Sequence, residues 1–165
     1  MKLLFLDVDG VLNCITTKDQ CGIYMGIEDA KVKILKEIID ETGATIVLSS
    51  DWKYGWHKET ANKVFQEETA NYLDNKLKKQ NLKIVDRTYE YYVSERGKGI
   101  KEFLNLMKRK NVEVENFVIL DDRIFDFEKE GLLEHFVHTD FKTGLNEERK
   151  KKAIEILNKT KREDN

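Results

Sequence analysis

Five short apolar runs punctuate the chain, at residues 3–6, 45–48, 82–85, 117–120 and 136–139. Runs of this length, bounded by polar residues, read as buried strands. Between them apolar residues recur at helical spacing. Ala30, Val32, Ile34, Leu35, Ile38 and Ile39 mark a helix over 28–41, with Gly43 as its stop. Ala61, Val64, Phe65, Tyr72, Leu73 and Leu77 mark a polar helix over 58–81. Ile100, Phe103, Leu104 and Met107 fall at i, i+3, i+4 and i+7 of a helix over 96–108. A short helix is expected at 125–130, ending at Gly131, and a last one at 147–159 with Ala153, Ile154, Ile156 and Leu157. The stretch 86–95, with Tyr89, Tyr91 and Tyr92, is ambiguous between strand and loop. Strands that alternate with helices make crossover units, so the strands should run parallel in one α/β sheet.

The ends of these runs carry the chemistry. The first stops at Asp7, Val8, Asp9 and Gly10. Side chains two apart on a strand share a face, so Asp7 and Asp9 would point together. Converging carboxylates are costly unless a cation or a proton relieves them. Gly10 would let the backbone turn away. The second run ends in Ser49, Ser50, Asp51 and Trp52, and the fourth in Asp121, Asp122 and Arg123. In a parallel sheet all of these arrive at one edge, where open α/β sheets place ligands. A calcium loop starting at Asp7 would need a glutamate at its twelfth position; that position is Lys18.

Composition narrows the field. The chain has 165 residues, 40% hydrophobic, enough for one core. Lys and Arg number 29 against 31 Asp and Glu, a net charge of -2, which argues against a globally basic nucleic-acid binder. No apolar run approaches the roughly 18 residues of a membrane span. Met1 leads straight into the first strand, so no signal peptide is expected. The two cysteines, Cys14 and Cys21, make no disulfide framework and no zinc spacing. A reduced, cytoplasmic setting is expected.

The stretch from Asp51 to Lys58 sets Trp52, Tyr54 and Trp56 beside Lys53, His57 and Lys58. One reading is packing over the sheet end. The other is a substrate platform, in which aromatic faces stack bases and a lysine meets phosphate.

The segments LDVDGVLN, IVLSSDW, RGKGI, ILDDR and HTDFKTGL, in this order over about residues 1–145, resemble the signatures of the haloacid dehalogenase-like (HAD) superfamily. They are most similar to the small capless HAD domains associated with RNA-repair proteins, the Swiss Army Knife group. The resemblance implies a Rossmann-like three-layer α/β/α domain over residues 1–165. Its sheet would be mainly parallel, of about five strands, with the first strand central and the fourth and second beside it. It implies no large cap, a short flap over 13–27, and a C-terminal helix and tail over 146–165.

It further implies an Mg²⁺-dependent phosphohydrolase. Asp7 would be nucleophile and metal ligand, and Asp9 acid and base, with its carbonyl also on the metal. Asp122 would be the second metal carboxylate, with Asp121 supporting and Asp126 as the variant position. Ser49 fits the hydroxyl signature best. Arg96 is favoured as the basic residue and Lys98 is the other candidate. Gly10, Ser50, Trp52 and Lys53 would line the substrate. Val11 stands where many relatives have Thr. The implied substrate is a phosphorylated RNA or DNA end, or a nucleotide, bound by a monomer or weak dimer away from any membrane. A small-metabolite phosphatase of the same superfamily and a non-catalytic binding module are the alternatives.

Overall fold

In the computed structural model residues 1–89 and 92–159 are described. The central strand is β1 (Lys2–Leu6), whose sequence KLLFL leaves both faces to be covered. Counting in chain order, β2 (Gln20–Cys21) and β3 (Tyr24–Met25) form a small antiparallel hairpin. Helix α1 (Asp29–Thr42) leads to β4 (Thr45–Leu48). Helix α2 (Glu68–Lys78) leads to β5 (Ile84–Arg87), and α3 (Arg96–Arg109) to β6 (Asn116–Asp121). Then come β7 (Phe136–His138) and α4 (Glu147–Asn158). The main sheet has five strands in the order β5-β4-β1-β6-β7, every pairing parallel. The first strand is therefore central, flanked by the second and fourth main strands, as the signatures imply. Among the described residues no helix is long and apolar enough to cross a membrane.

Strand alternation splits the core into two layers. Leu4, Leu6, Ile46, Leu48, Val118, Leu120 and Val137 face α1, α2 and α4. Leu3, Phe5, Val47 and Ile119 face Ile100 and Phe103 of α3. Phe5 meets Phe103 and Phe117 edge-on at 5.7 and 5.9 Å, the arrangement aromatic quadrupoles favour. Helix α1 stops where Gly43 adopts φ +67 and returns its N–H to the Ile39 carbonyl. Helix α4 starts where the Asn146 side chain accepts from the Arg149 N–H.

Register fixes the functional edge. Leu6 lies opposite Leu48 on one side and Leu120 on the other. The ladders then run one residue past the strands: Ser49 N–H to Leu6 O, Asp7 N–H to Leu120 O, Thr88 N–H to Leu48 O and Thr139 N–H to Asp121 O, at 2.9–3.0 Å. The residue after β1, β4, β5 and β7 thus keeps strand geometry.

Three expected elements differ. The helix over 58–81 begins only at Glu68. A 3-10 turn (Thr60–Phe65) precedes it, and Val64 and Phe65, expected on its apolar face, are exposed. The cause is a polar knot: the Gln66 amide donates to Asn71 and Asp74, and the Asn71 amide donates back to the Gln66 carbonyl. The helix over 125–130 is instead a succession of turns, opened by Phe125 at φ +48. The third main strand lies at 84–87 rather than 82–85, beside a register shift between Ile46 and Val47. Tyr91, the side chain of Ala61 and the tail from residue 160 lie outside the described residues.

The β2–β3 hairpin closes the 13–27 segment, and α2 holds it. The Tyr72 hydroxyl donates to Asp19 at 2.8 Å and accepts from the Ile27 N–H at 2.9 Å. The Lys76 ammonium pairs with Asp19 at 2.6 Å and Asp29 at 2.9 Å.

Candidate active site

Asp7 sits at the centre of the carboxyl edge, 4% exposed. Burial, then the neighbouring charge of Asp121, pushes its carboxyl well above the usual carboxylate range, against the pull of Arg96 and a hydrogen bond from the Ser50 hydroxyl. Arg96, 3% exposed, opens α3 and aims its guanidinium at three carboxylates. The contacts are Asp121 at 2.7 Å, Asp7 at 3.0 Å and Asp51 at 3.0 Å. The Phe125 ring lies 4.3 Å from that guanidinium, which gives the left-handed turn at Phe125 a role in shaping the site. Burial alone would lower the arginine's affinity for its proton, but Asp7 and Asp121 hold it firmly charged.

Lys98, the other basic candidate, is half exposed and reaches Glu95 at 3.4 Å. Asp126 turns away from the other acids: it caps α3 by accepting from the Gly97 and Lys98 N–H groups. Among the described residues, the carboxylates that converge are Asp7, Asp121 and Asp122, with ligand atoms within 4.8 Å of one another. This is an all-oxygen set with charge in excess of its one buried guanidinium, which suits a hard divalent cation. Gly10 makes the closeness feasible. Its φ is +71, and a Cβ there would fall 2.4 Å from an Asp122 carboxylate oxygen, so both backbone and space require glycine.

Asp9 differs from Asp7 in every respect. It is exposed, and both its oxygens accept hydrogen bonds, from the Trp52 indole N–H at 3.0 Å and the Asn13 amide at 2.9 Å. Trp52 is 8% exposed and packs beside Tyr72, so its ring is no open stacking surface. Lys53 is buried, its ammonium 5.1 Å from the Tyr54 ring, and its carbonyl accepts from Arg87. Ser50 caps the 3-10 turn at Asp51–Gly55 by accepting from the Trp52 N–H.

Among the described residues four buried side-chain atoms have no partner: Ser49 Oγ, Thr88 Oγ1, Thr139 Oγ1 and Arg96 Nε. Buried polar groups are ordinarily satisfied. Here the hydroxyls sit on the first residues past β4, β5 and β7, so the unmet hydrogen-bonding capacity concentrates at one edge. Sequence reasoning missed Asn13, Asp51, Thr88 and Thr139. The strand-end rule that picked Ser49 applies equally to Thr139, which closes the fifth run; Asn13 and Asp51 act through contacts that no local pattern encodes.

The family described as the HAD domain in Swiss Army Knife RNA repair proteins matches residues 3–149. No curated protein and no solved structure matches the chain. The matched span runs from β1 into the first turn of α4 and so takes in every strand end described above. On that span the chain belongs to the HAD domain family of Swiss Army Knife RNA repair proteins.

Proposed function

We propose that the protein is an Mg²⁺-dependent phosphomonoesterase that works through an aspartyl-phosphate on Asp7. Its family lies in a superfamily of phosphohydrolases. The observation that carries the reading is the pairing of a buried Asp7, clamped by Arg96, with an exposed Asp9 two residues on. One carboxylate is held still and dry; the other stands at the mouth. That is the division of labour between nucleophile and proton carrier.

Asp7, Asp122 and the Asp9 carbonyl would hold the Mg²⁺, with Asp121 behind them; the ion supplies charge neutralisation for the phosphoryl group. An Asp7 carboxylate oxygen bonds to phosphorus as the ester P–O bond breaks in line. Asp9 gives its proton to the departing oxygen. Asp9 then takes a proton from water as that water's oxygen attacks phosphorus, which frees Asp7 and releases inorganic phosphate. The unpartnered Ser49 hydroxyl can donate to a phosphoryl oxygen without adding charge. Ser50 and Arg96 keep Asp7 in place, while Lys98 stands outside the cluster.

For the substrate, a phosphorylated RNA or DNA end or a nucleotide fits a domain that carries only a short hairpin where a large cap could stand. Tyr54 and Tyr89 are exposed, and the Tyr89 ring lies 5.2 Å from the Arg87 guanidinium. Aromatic rings paired with cations favour bases and phosphates.

The test is phosphate release from an aryl phosphate, from mononucleotides and from 3′- and 5′-phosphorylated oligonucleotides, with and without Mg²⁺. Wild type should turn over only with the metal, and Asp7→Asn should abolish turnover. A folded wild type inactive on all of them would leave a binding module as the better reading.

A further inference from the structure

The Asp9 carboxylate is gripped from two sides by groups that can only donate to it. The Trp52 indole reaches Oδ2 at 3.0 Å, and an indole N–H has no acceptor capacity. The Asn13 amide reaches Oδ1 at 2.9 Å. Its orientation is not free, because its own oxygen accepts the Gly10 N–H at 2.8 Å. Trp52 and Asn13 are buried while the aspartate between them is exposed. A solvent-facing aspartate would otherwise turn about its side-chain bonds at little cost, and water would satisfy both oxygens. The chain instead places a large aromatic residue, contributed by a separate strand end 43 positions away, against one of them.

We propose that Trp52 and Asn13 are positioning residues that aim Asp9 at the leaving group. A carboxyl group has about four lone-pair directions. Two are occupied here by donors that cannot accept, so a proton on Asp9 must lie off both contacts. The proton carried to the leaving oxygen is thereby restricted in direction before substrate arrives. This is the preorganisation that makes proton transfer effective in the transition state. Trp52 itself touches neither phosphate nor base; it acts through Asp9. The 3-10 turn that follows Ser50 serves this end, since it brings Trp52 back across the carboxyl end of β1 while Ser50 holds the Trp52 N–H.

The inference rests on the phosphomonoesterase reading, and leaving-group chemistry separates the two. Trp52→Phe retains a ring and removes the N–H. It is compared with wild type by kcat/KM, which covers binding and phosphoryl transfer to Asp7 but not hydrolysis of the aspartyl-phosphate, on 4-nitrophenyl phosphate and on a primary alkyl phosphate. The nitrophenolate departs without help; the alkoxide needs the proton. General acid catalysis contributes about 10²–10⁴-fold, so the loss on the alkyl ester should exceed the loss on the aryl ester by ~10–100-fold. Asn13→Ala removes the donor to Asp9 without setting a second carboxylate against it, as aspartate would. It should show the same split, and it decides the matter if Trp52→Phe does not fold. Losses that match on both esters to within about twofold, against that range, would mean a merely structural role and overturn the proposal. So would a wild type that turns over the aryl ester alone. A wild type inactive on both esters would instead sink the phosphatase reading, and this inference with it.

Discussion

Arg96 and Lys76 each gather acids around one cation, and the two clusters behave oppositely. At the sheet edge Arg96 faces Asp7, Asp121 and Asp51, with Asp122 alongside. At the hairpin Lys76 faces Asp19 and Asp29, with Tyr72 adding a hydroxyl. Asp7 is held well above the ordinary carboxylate range, chiefly by burial and then by Asp121. Asp19 is drawn down to about 2, chiefly by its hydrogen bonds from Lys76 and then Tyr72. The difference is water and stoichiometry. Asp19 and Asp29 are largely solvated, so one ammonium suffices for both. Asp7 and Asp121 are dry, so one guanidinium leaves negative charge uncompensated. The hairpin acids are matched by their cation, whereas the buried acids at the edge outnumber theirs, an excess that a proton on Asp7 or a bound cation would relieve.

The largest effect should come from removing the cation at the edge. Arg96→Met strands two buried carboxylates and should cost roughly 3–5 kcal/mol of stability. Lys98→Ala, on the same helix turn but solvated, should stay within about 0.5 kcal/mol. Urea melts of the two variants measure this contrast, and equal losses would break it. Next is the missing charge itself. Saturating Mg²⁺ at about 100 times its dissociation constant should stabilise the wild type by roughly 2.7 kcal/mol. Asp122→Asn should lose most of that gain. Thermal melts with and without the metal test it, and a cation that shifts neither protein would contradict the reading of the edge.

The smallest effect belongs to the hairpin. Asp19 has a folded value of about 2, below its usual 3.8. Its contribution is therefore fully present above pH of about 4 and is lost as pH falls toward 2. Asp19→Asn should flatten that acid limb and leave stability at neutral pH nearly unchanged in slope. Denaturation across a pH series would detect it, and an unaltered acid limb would remove Asp19 as an anchor.

Much of this was legible in the sequence because strand ends in a parallel sheet need no tertiary knowledge. Four-residue apolar runs cut off by Asp-Val-Asp-Gly, Ser-Ser and Asp-Asp place these residues at one edge of the sheet. Helices α1, α3 and α4 follow from apolar periodicity. The stretch before α2 did not, because Gln66, Asn71 and Asp74 satisfy one another through side chains. Val64 and Phe65 sat at helical spacing without being core. The stretch around Trp52 allowed both packing over the sheet end and an exposed platform, because aromatic and basic residues crowd together there; Trp52 itself is buried. Its contact with Asp9 joins two strand ends that only the folded sheet brings together. The turn at Phe125 was equally hidden, since a left-handed non-glycine residue leaves no mark in the pattern.

The ladder that runs one residue beyond β1, β4, β5 and β7 ties the site to the core. Asp7, Ser49, Thr88 and Thr139 hang from main-chain bonds of the sheet, so the floor of the site is inherited with the core. The walls are loops and a hairpin attached by a few side chains. A substitution in the walls can therefore leave the floor in place, whereas one that disturbs the sheet register moves every floor residue at once. The site's geometry is thus a property of the core, and its surroundings are a property of the loops.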